Sequence, residues 1–159
     1  MTMISKKFPA AALIDGEWVT SAKTFLVNDP ATGGEVAAVP DLGAEDAARA
    51  IDAAARALPS WSAKTAKERA TILRRWFDLI TAETETLAQL MTTEQGKPLA
   101  EARAEVGYGA SFIEWFAEEG KRVYGDAIPM GQQGKRILVL KEPVGVCAAI
   151  TPWNFPSAM

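Results

Sequence analysis

Residues 144–150 read Val-Gly-Val-Cys-Ala-Ala-Ile and run directly into Thr-Pro-Trp-Asn-Phe-Pro. An unbroken apolar run of this length, closed by prolines, is the pattern of a strand buried on both faces of a parallel sheet. Such a strand needs neighbours on its edges to satisfy its N–H and C=O groups. No further strand–helix unit follows it within the 159 residues. The expectation is an α/β chain whose parallel sheet is begun but interrupted.

The preceding residues divide by apolar period. Residues 12–19 place Asp15-Gly16 between apolar arms, which predicts a two-residue hairpin turn with positive φ at both positions. A second strand pair, 24–27 and 35–39, is predicted around Asn28-Asp29-Pro30 and Gly33-Gly34. The period then becomes helical. Ala47, Ile51, Ala54, Ala55 and Leu58 form one stripe, which Pro59 is expected to stop. Thr65 and Glu68 have capping-box spacing. Beyond them Ile72, Leu73, Trp76, Phe77 and Ile80, continued by Leu87, Leu90 and Met91, point to helix up to a stop at Gly96. Pro98 suits a first helical position, and one long helix is predicted from there to Gly125. Residues 136–141 return to strand character.

Composition excludes several functions. The chain has no histidine, which removes Ser-His-Asp and Cys-His catalysis and His-ligated zinc; with one cysteine and no thiolate cluster, no metal site is expected. A net charge of -3 gives no general attraction to nucleic acid or anionic membrane. No apolar run approaches the roughly 20 residues needed to span a bilayer. Lys6 and Lys7 precede a short apolar stretch that Asp15 and Glu17 interrupt, so no signal peptide is read there. The single Cys147 cannot form an internal disulfide, which suits a reducing cytoplasm.

Chemistry concentrates at the end of the apolar run. Ligands of open α/β sheets bind beyond the carboxyl ends of strands. Pro152 and Pro156 stiffen the backbone on either side of Asn154, whose amide can donate two hydrogen bonds. A neutral, rigidly held donor can stabilise a developing oxyanion without titrating. The alternative is a turn in which Asn154 only caps backbone groups. Spacing leaves both open.

The segment Glu142-Pro-Val-Gly-Val-Cys-Ala-Ala-Ile-Thr-Pro-Trp-Asn-Phe-Pro156 resembles the opening of the cofactor-binding domain of aldehyde dehydrogenases. Glu94-Gln-Gly-Lys-Pro-Leu-Ala-Glu-Ala-Arg103 and Phe112-Ile-Glu-Trp-Phe-Ala-Glu-Glu-Gly-Lys-Arg122 resemble the succinate-semialdehyde branch, and Asp29-Pro30-Ala31-Thr32-Gly33 fits the family's early turn. The resemblance runs from about Leu13 onward. It implies the amino-terminal part of an α/β aldehyde dehydrogenase fold: hairpins and helices over 1–135, an oligomerisation β arm over 136–143, and the start of a Rossmann-like NAD(P)-binding core over 144–159. In that family a cysteine thiolate attacks the aldehyde, hydride passes to NAD or NADP, and a glutamate-activated water releases the acid. The resemblance assigns Asn154 to the oxyanion. It places Ile150, Thr151, Pro152, Trp153 and Asn154 beside the cofactor, and Phe155, Met159 and Phe112 near the aldehyde. The family's nucleophile and general base match later segments, so the 159 residues alone are expected to be inactive.

Other residues have plainer readings. Cys147 sits in an apolar run without a neighbouring base and reads as a small buried hydrophobe. Glu114, Glu118 and Glu119 read as a solvated helix face, with Glu118 and Arg122 paired four apart. No Gly-x-Gly-x-x-Gly stands between a strand and a helix. Residues 137–140 would be an exposed edge unless covered; they are expected either to pair within the chain or to pair with a neighbouring subunit in a homo-oligomer, a dimer or tetramer. Two functions of different class follow. One is oxidation of succinate semialdehyde, with glutarate semialdehyde or another aldehyde as alternatives. The other is a non-catalytic oligomerisation module that keeps the family's amino-terminal fold.

Overall fold

The computed structural model describes residues 8–159; Lys6 and Lys7 lie outside them. Two hairpins open the structure. Strands β1 (Ala12–Ile14) and β2 (Glu17–Val19) pair antiparallel, with Leu13 opposite Trp18. Their turn has φ 54° at Asp15 and 81° at Gly16, the double positive φ that the Asp-Gly pair predicts. Strands β3 (Thr24–Asn28) and β4 (Glu35–Pro40) form the second hairpin. In its turn Asp29 Oδ1 accepts the Ala31 N–H at 2.8 Å.

Four helices follow: α1 (Ala44–Ser62), α2 (Ala66–Ala82), α3 (Thr84–Gln95) and α4 (Leu99–Glu119). Asp46 accepts the Gly43 N–H at the start of α1, and Arg56 on α1 pairs with Asp15 at 2.8 Å. The capping box of α2 forms as its sequence predicts. Thr65 Oγ1 accepts the Glu68 N–H, and Glu68 Oε2 accepts the Thr65 N–H at 2.7 Å. The hydroxyl of Thr65 and this backbone N–H hold the Glu68 carboxyl below its usual pKa. Helix α4 packs against both α2 and α3. The core between α3 and α4 is Ala88, Met91, Ala102 and Val106, flanked by Ile80, Leu87 and Leu99. Alanines at 88, 102, 110 and 117 are almost fully buried; their small side chains allow the helices to pack closely.

Several helix boundaries depart from expectation. Pro59 lies inside α1, which continues to Ser62. Proline removes one donor, yet the turn persists with the Ala63 N–H bonded to the Pro59 carbonyl. The run from Ile72 to Met91 is two helices, broken at Glu83, because apolar period alone does not locate a break. The helix from Pro98 ends at Glu119, tightens into a single 3-10 turn over Gly120–Arg122, and does not reach Gly125. That tightening changes the ion pairs. With three residues per turn, i and i+3 eclipse. Glu118 therefore meets Lys121 at 2.8 Å and Arg122 meets Glu119 at 2.6 Å, in place of the expected Glu118–Arg122 pair.

A third hairpin joins β5 (Asp126–Pro129) and β6 (Arg136–Val139). Sequence reading missed β5, and β6 stops short of Lys141. All eight strand residues are exposed. The described residues contain three two-stranded antiparallel sheets and no parallel pair.

The largest correction concerns residues 144–150. They form no strand, and Val144 and Ile150 are 92% and 100% exposed. Cys147, expected to be buried, is exposed as well. A doubly buried strand forms only between partners, and none is present among the described residues. The mixed helix–strand class stands, as a partial fold.

Candidate functional site: the Asn154 segment and its clamp

The junction between α3 and α4 organises the last residues of the chain. Helix α3 ends with Gly96 in the left-handed conformation at φ 78°, its N–H bonded to the Thr92 carbonyl at 2.8 Å. This glycine stop was expected and has its usual cause, the absence of a Cβ. Pro98, expected as the first helical residue, instead caps α4. The side chains flanking Gly96, Gln95 and Lys97, both reach the segment that holds Asn154.

Gln95 Nε2 donates to the Trp153 carbonyl at 2.6 Å. Lys97 Nζ donates to the Asn154 carbonyl at 2.8 Å and lies 4.4 Å from the centre of the Phe155 ring, a cation–π distance. The same ammonium pairs with Glu105 of α4. Glu105 is buried, at 2% side-chain exposure, and Lys97 is partly buried, at 13%. The other oxygen of Glu105 accepts the Ser157 N–H at 2.9 Å. Ala158 is buried beyond it. Gly109, one turn further along α4, lies under Ser157 so closely that a Cβ there would fall 2.3 Å from the Ser157 carbonyl oxygen.

Of the residues singled out from sequence, Ile150, Thr151, Pro152, Trp153 and Asn154 are exposed and contiguous, with Phe155 next and Met159 exposed at the end. The Trp153 carbonyl is engaged by Gln95, and of Asn154 only the backbone carbonyl is engaged. Its side-chain amide has no hydrogen-bond partner among the described residues, so it caps no backbone group there. Phe112 stands three residues beyond Gly109 on α4, its ring edge-on to Tyr108 at 4.7 Å. Sequence reading did not pick out Gln95, Lys97, Glu105 or Gly109. One signal was available: Glu105 interrupts the stripe that includes Ala102, Val106 and Gly109, and a carboxylate on a buried helix face needs a partner.

The acidic residues later in α4 serve structure. Glu114 accepts from Arg74 of α2 at 2.5 Å. That hydrogen bond raises the Arg74 pKa. Arg103 donates twice to Glu85, at 2.7 and 2.9 Å. These bonds, joined by one from Gln89, bring the Glu85 carboxyl down to about 2. No cluster of three or more metal-ligating side chains occurs among the described residues. A groove of 1220 Å³ runs between β4 and α3 past Trp18, Phe25 and Leu90. None of residues 150–159 lines it. Glu35, Asp41, Thr93 and Glu94 are among its lining residues, and burial raises the Glu94 carboxyl pKa.

The model of the aldehyde dehydrogenase family matches residues 18–159. The chain belongs to the aldehyde dehydrogenase family. It is 59% identical over 157 residues to the NADP(+) succinate-semialdehyde dehydrogenase GabD of Escherichia coli (strain K12), covering 98% of this chain and 33% of that one. It is also 59% identical to a glutarate-semialdehyde dehydrogenase of Pseudomonas aeruginosa, covering 98% of this chain and 32% of the relative. The crystal structure of succinate-semialdehyde dehydrogenase from Burkholderia pseudomallei superimposes with a TM-score of 0.91 at 60% identity, over 96% of this chain and 33% of that one. The chain thus spans about a third of the length of the relatives it matches. No helix among the described residues is long and apolar enough to cross a membrane.

Proposed function

We propose that this chain forms the amino-terminal third of an NAD(P)-dependent aldehyde dehydrogenase that oxidises succinate semialdehyde to succinate in the cytoplasm. The observation that carries the reading is the Asn154 side chain: exposed, unpartnered among the described residues, and set on a segment whose backbone is held from below. A donor arranged in advance in this way can meet negative charge as it develops on the aldehyde oxygen. Asn154 is the catalytic residue of this portion. Phe155, Met159 and Phe112 border the aldehyde.

Residues 150–152 suit a nicotinamide cofactor lying alongside them, because their backbone is uncovered and makes no hydrogen bond within the described residues. When bound, that cofactor supplies the hydride acceptor. The residues that bind its ribose and phosphates, with the nucleophilic cysteine and the general base, fall to later segments of the complete enzyme. The 159 residues alone therefore turn over no substrate. Residues 1–135 supply hairpins and helices, 136–143 an oligomerisation arm, and 144–159 the entry to the cofactor-binding core. The β5–β6 hairpin supports a homo-oligomer, since it is wholly exposed and, among the described residues, its strands pair only with each other.

Glutarate semialdehyde is the second reading, favoured by the equal identity to the Pseudomonas aeruginosa relative. The two substrates differ by one methylene, which typically discriminates by about 1–3 kcal/mol. The test is reduced-nicotinamide formation by the complete enzyme with each semialdehyde and each cofactor. The proposal expects the largest kcat/KM with succinate semialdehyde. Oxidation of neither substrate would refute it, and stable oligomers without nicotinamide affinity would point to the non-catalytic module.

A further inference from the structure

We infer that Lys97 and Glu105, with Gln95 and Gly109, form a clamp whose role is to position Asn154, so that Lys97 and Glu105 are positioning residues for the proposed oxidation. The inference rests on that functional reading and adds residues to it. The three groups held by the clamp are all backbone atoms: the carbonyls of Trp153 and Asn154 and the N–H of Ser157. The clamp therefore fixes the segment on both sides of the Asn154 Cα without occupying its side-chain amide. One ammonium serves three partners, the Glu105 carboxylate, the Asn154 carbonyl and the Phe155 ring. One carboxylate joins that ammonium to the Ser157 N–H. A largely buried ion pair of this kind is a poor source of stability, and fixing one arrangement is its better-attested use. Gly109 completes the seat by leaving room for the Ser157 carbonyl.

The test uses the complete enzyme and three variants, Lys97→Met, Glu105→Gln and Gly109→Ala. Lys97→Met leaves a buried carboxylate unpaired and can impair folding. Gly109→Ala avoids this, because alanine is the better helix former and only the Ser157 contact must move. Hydrogen exchange of the peptide covering 150–159 reads docking directly, and kcat per folded enzyme reads positioning. The expected result for Gly109→Ala is at least fivefold faster exchange of the Ser157 amide and at least a tenfold loss of kcat. The KM for the nicotinamide cofactor should stay within twofold and the exchange of Val106 should not change. Glu105→Gln keeps an acceptor for Ser157 and should lose less kcat than Lys97→Met. An unprotected Ser157 amide in the wild-type enzyme would overturn the clamp. Faster exchange with unchanged kcat in all variants would overturn its positioning role. A wild-type enzyme that docks the segment but oxidises no aldehyde would instead refute the functional reading.

Discussion

Replacing Gly96 by alanine should destabilise the chain by an amount that its geometry sets. Gly96 has φ 78°, where a Cβ costs an L-residue roughly 1–2 kcal/mol. The new methyl would also stand 2.9 Å from Pro30 Cγ, inside normal contact. Reduced freedom of the unfolded chain returns about 0.4–1 kcal/mol. The expected net loss is therefore about 1–2 kcal/mol, or roughly 2–8 °C in Tm for a chain of this size. Thermal unfolding followed by circular dichroism measures it. Gly96→Asn should lose less, since asparagine tolerates the left-handed region while meeting the same proline. Adding Pro30→Ala to Gly96→Ala should restore the part due to contact, with a coupling of about 0.5 kcal/mol or more. An unchanged Tm for Gly96→Ala would show that the α3–α4 junction is not held as described. The clamp, which hangs from the residues on either side of Gly96, would then lose its basis.

Two further predictions concern packing and charge. Val106 is fully buried between α3 and α4, so Val106→Ala should cost about 2–3 kcal/mol from lost burial and the cavity left behind; a loss below about 0.5 kcal/mol in denaturant titration would contradict that core. Glu85 titrates at about 2 because Arg103 hydrogen-bonds its charged form. A lowered carboxylate pKa contributes stability that is present above the unfolded value and lost as pH falls through the folded one. Arg103→Gln should therefore raise the Glu85 midpoint toward 4.5 and reduce its share of the pH dependence between about 4.5 and 2, the part due to the Gln89 hydrogen bond remaining. Carboxyl chemical shifts report the midpoint, and an ordinary Glu85 midpoint in the wild-type chain would contradict the pairing.

The sequence revealed most where interactions are local. Asp15-Gly16, Thr65 with Glu68, and Gly96 each specify a turn or cap from their own backbone chemistry, and all three form as read. It revealed less where the outcome depends on distant neighbours. Residues 144–150 have a strand's composition but no strand beside them among the described residues. Pro59 fails to stop α1 because the helix tolerates one missing donor near its end. The candidate site divides the same way. Asn154 stood out through its flanking prolines. The residues that seat it, Gln95, Lys97, Glu105 and Gly109, lie 45 to 59 positions earlier in the sequence. Their joint role emerges only when α4 brings them under the same segment.

On the proposed function, the free amide of Asn154 stabilises the oxyanion of the reacting aldehyde. Pre-steady-state and steady-state kinetics of Asn154→Ala in the complete enzyme test it most directly. The expected fall in kcat is on the order of 100- to 1000-fold, the usual effect of removing one such donor, with nicotinamide affinity held within a few fold. A kcat within threefold of wild type, or an equal loss in kcat and cofactor affinity, would contradict it.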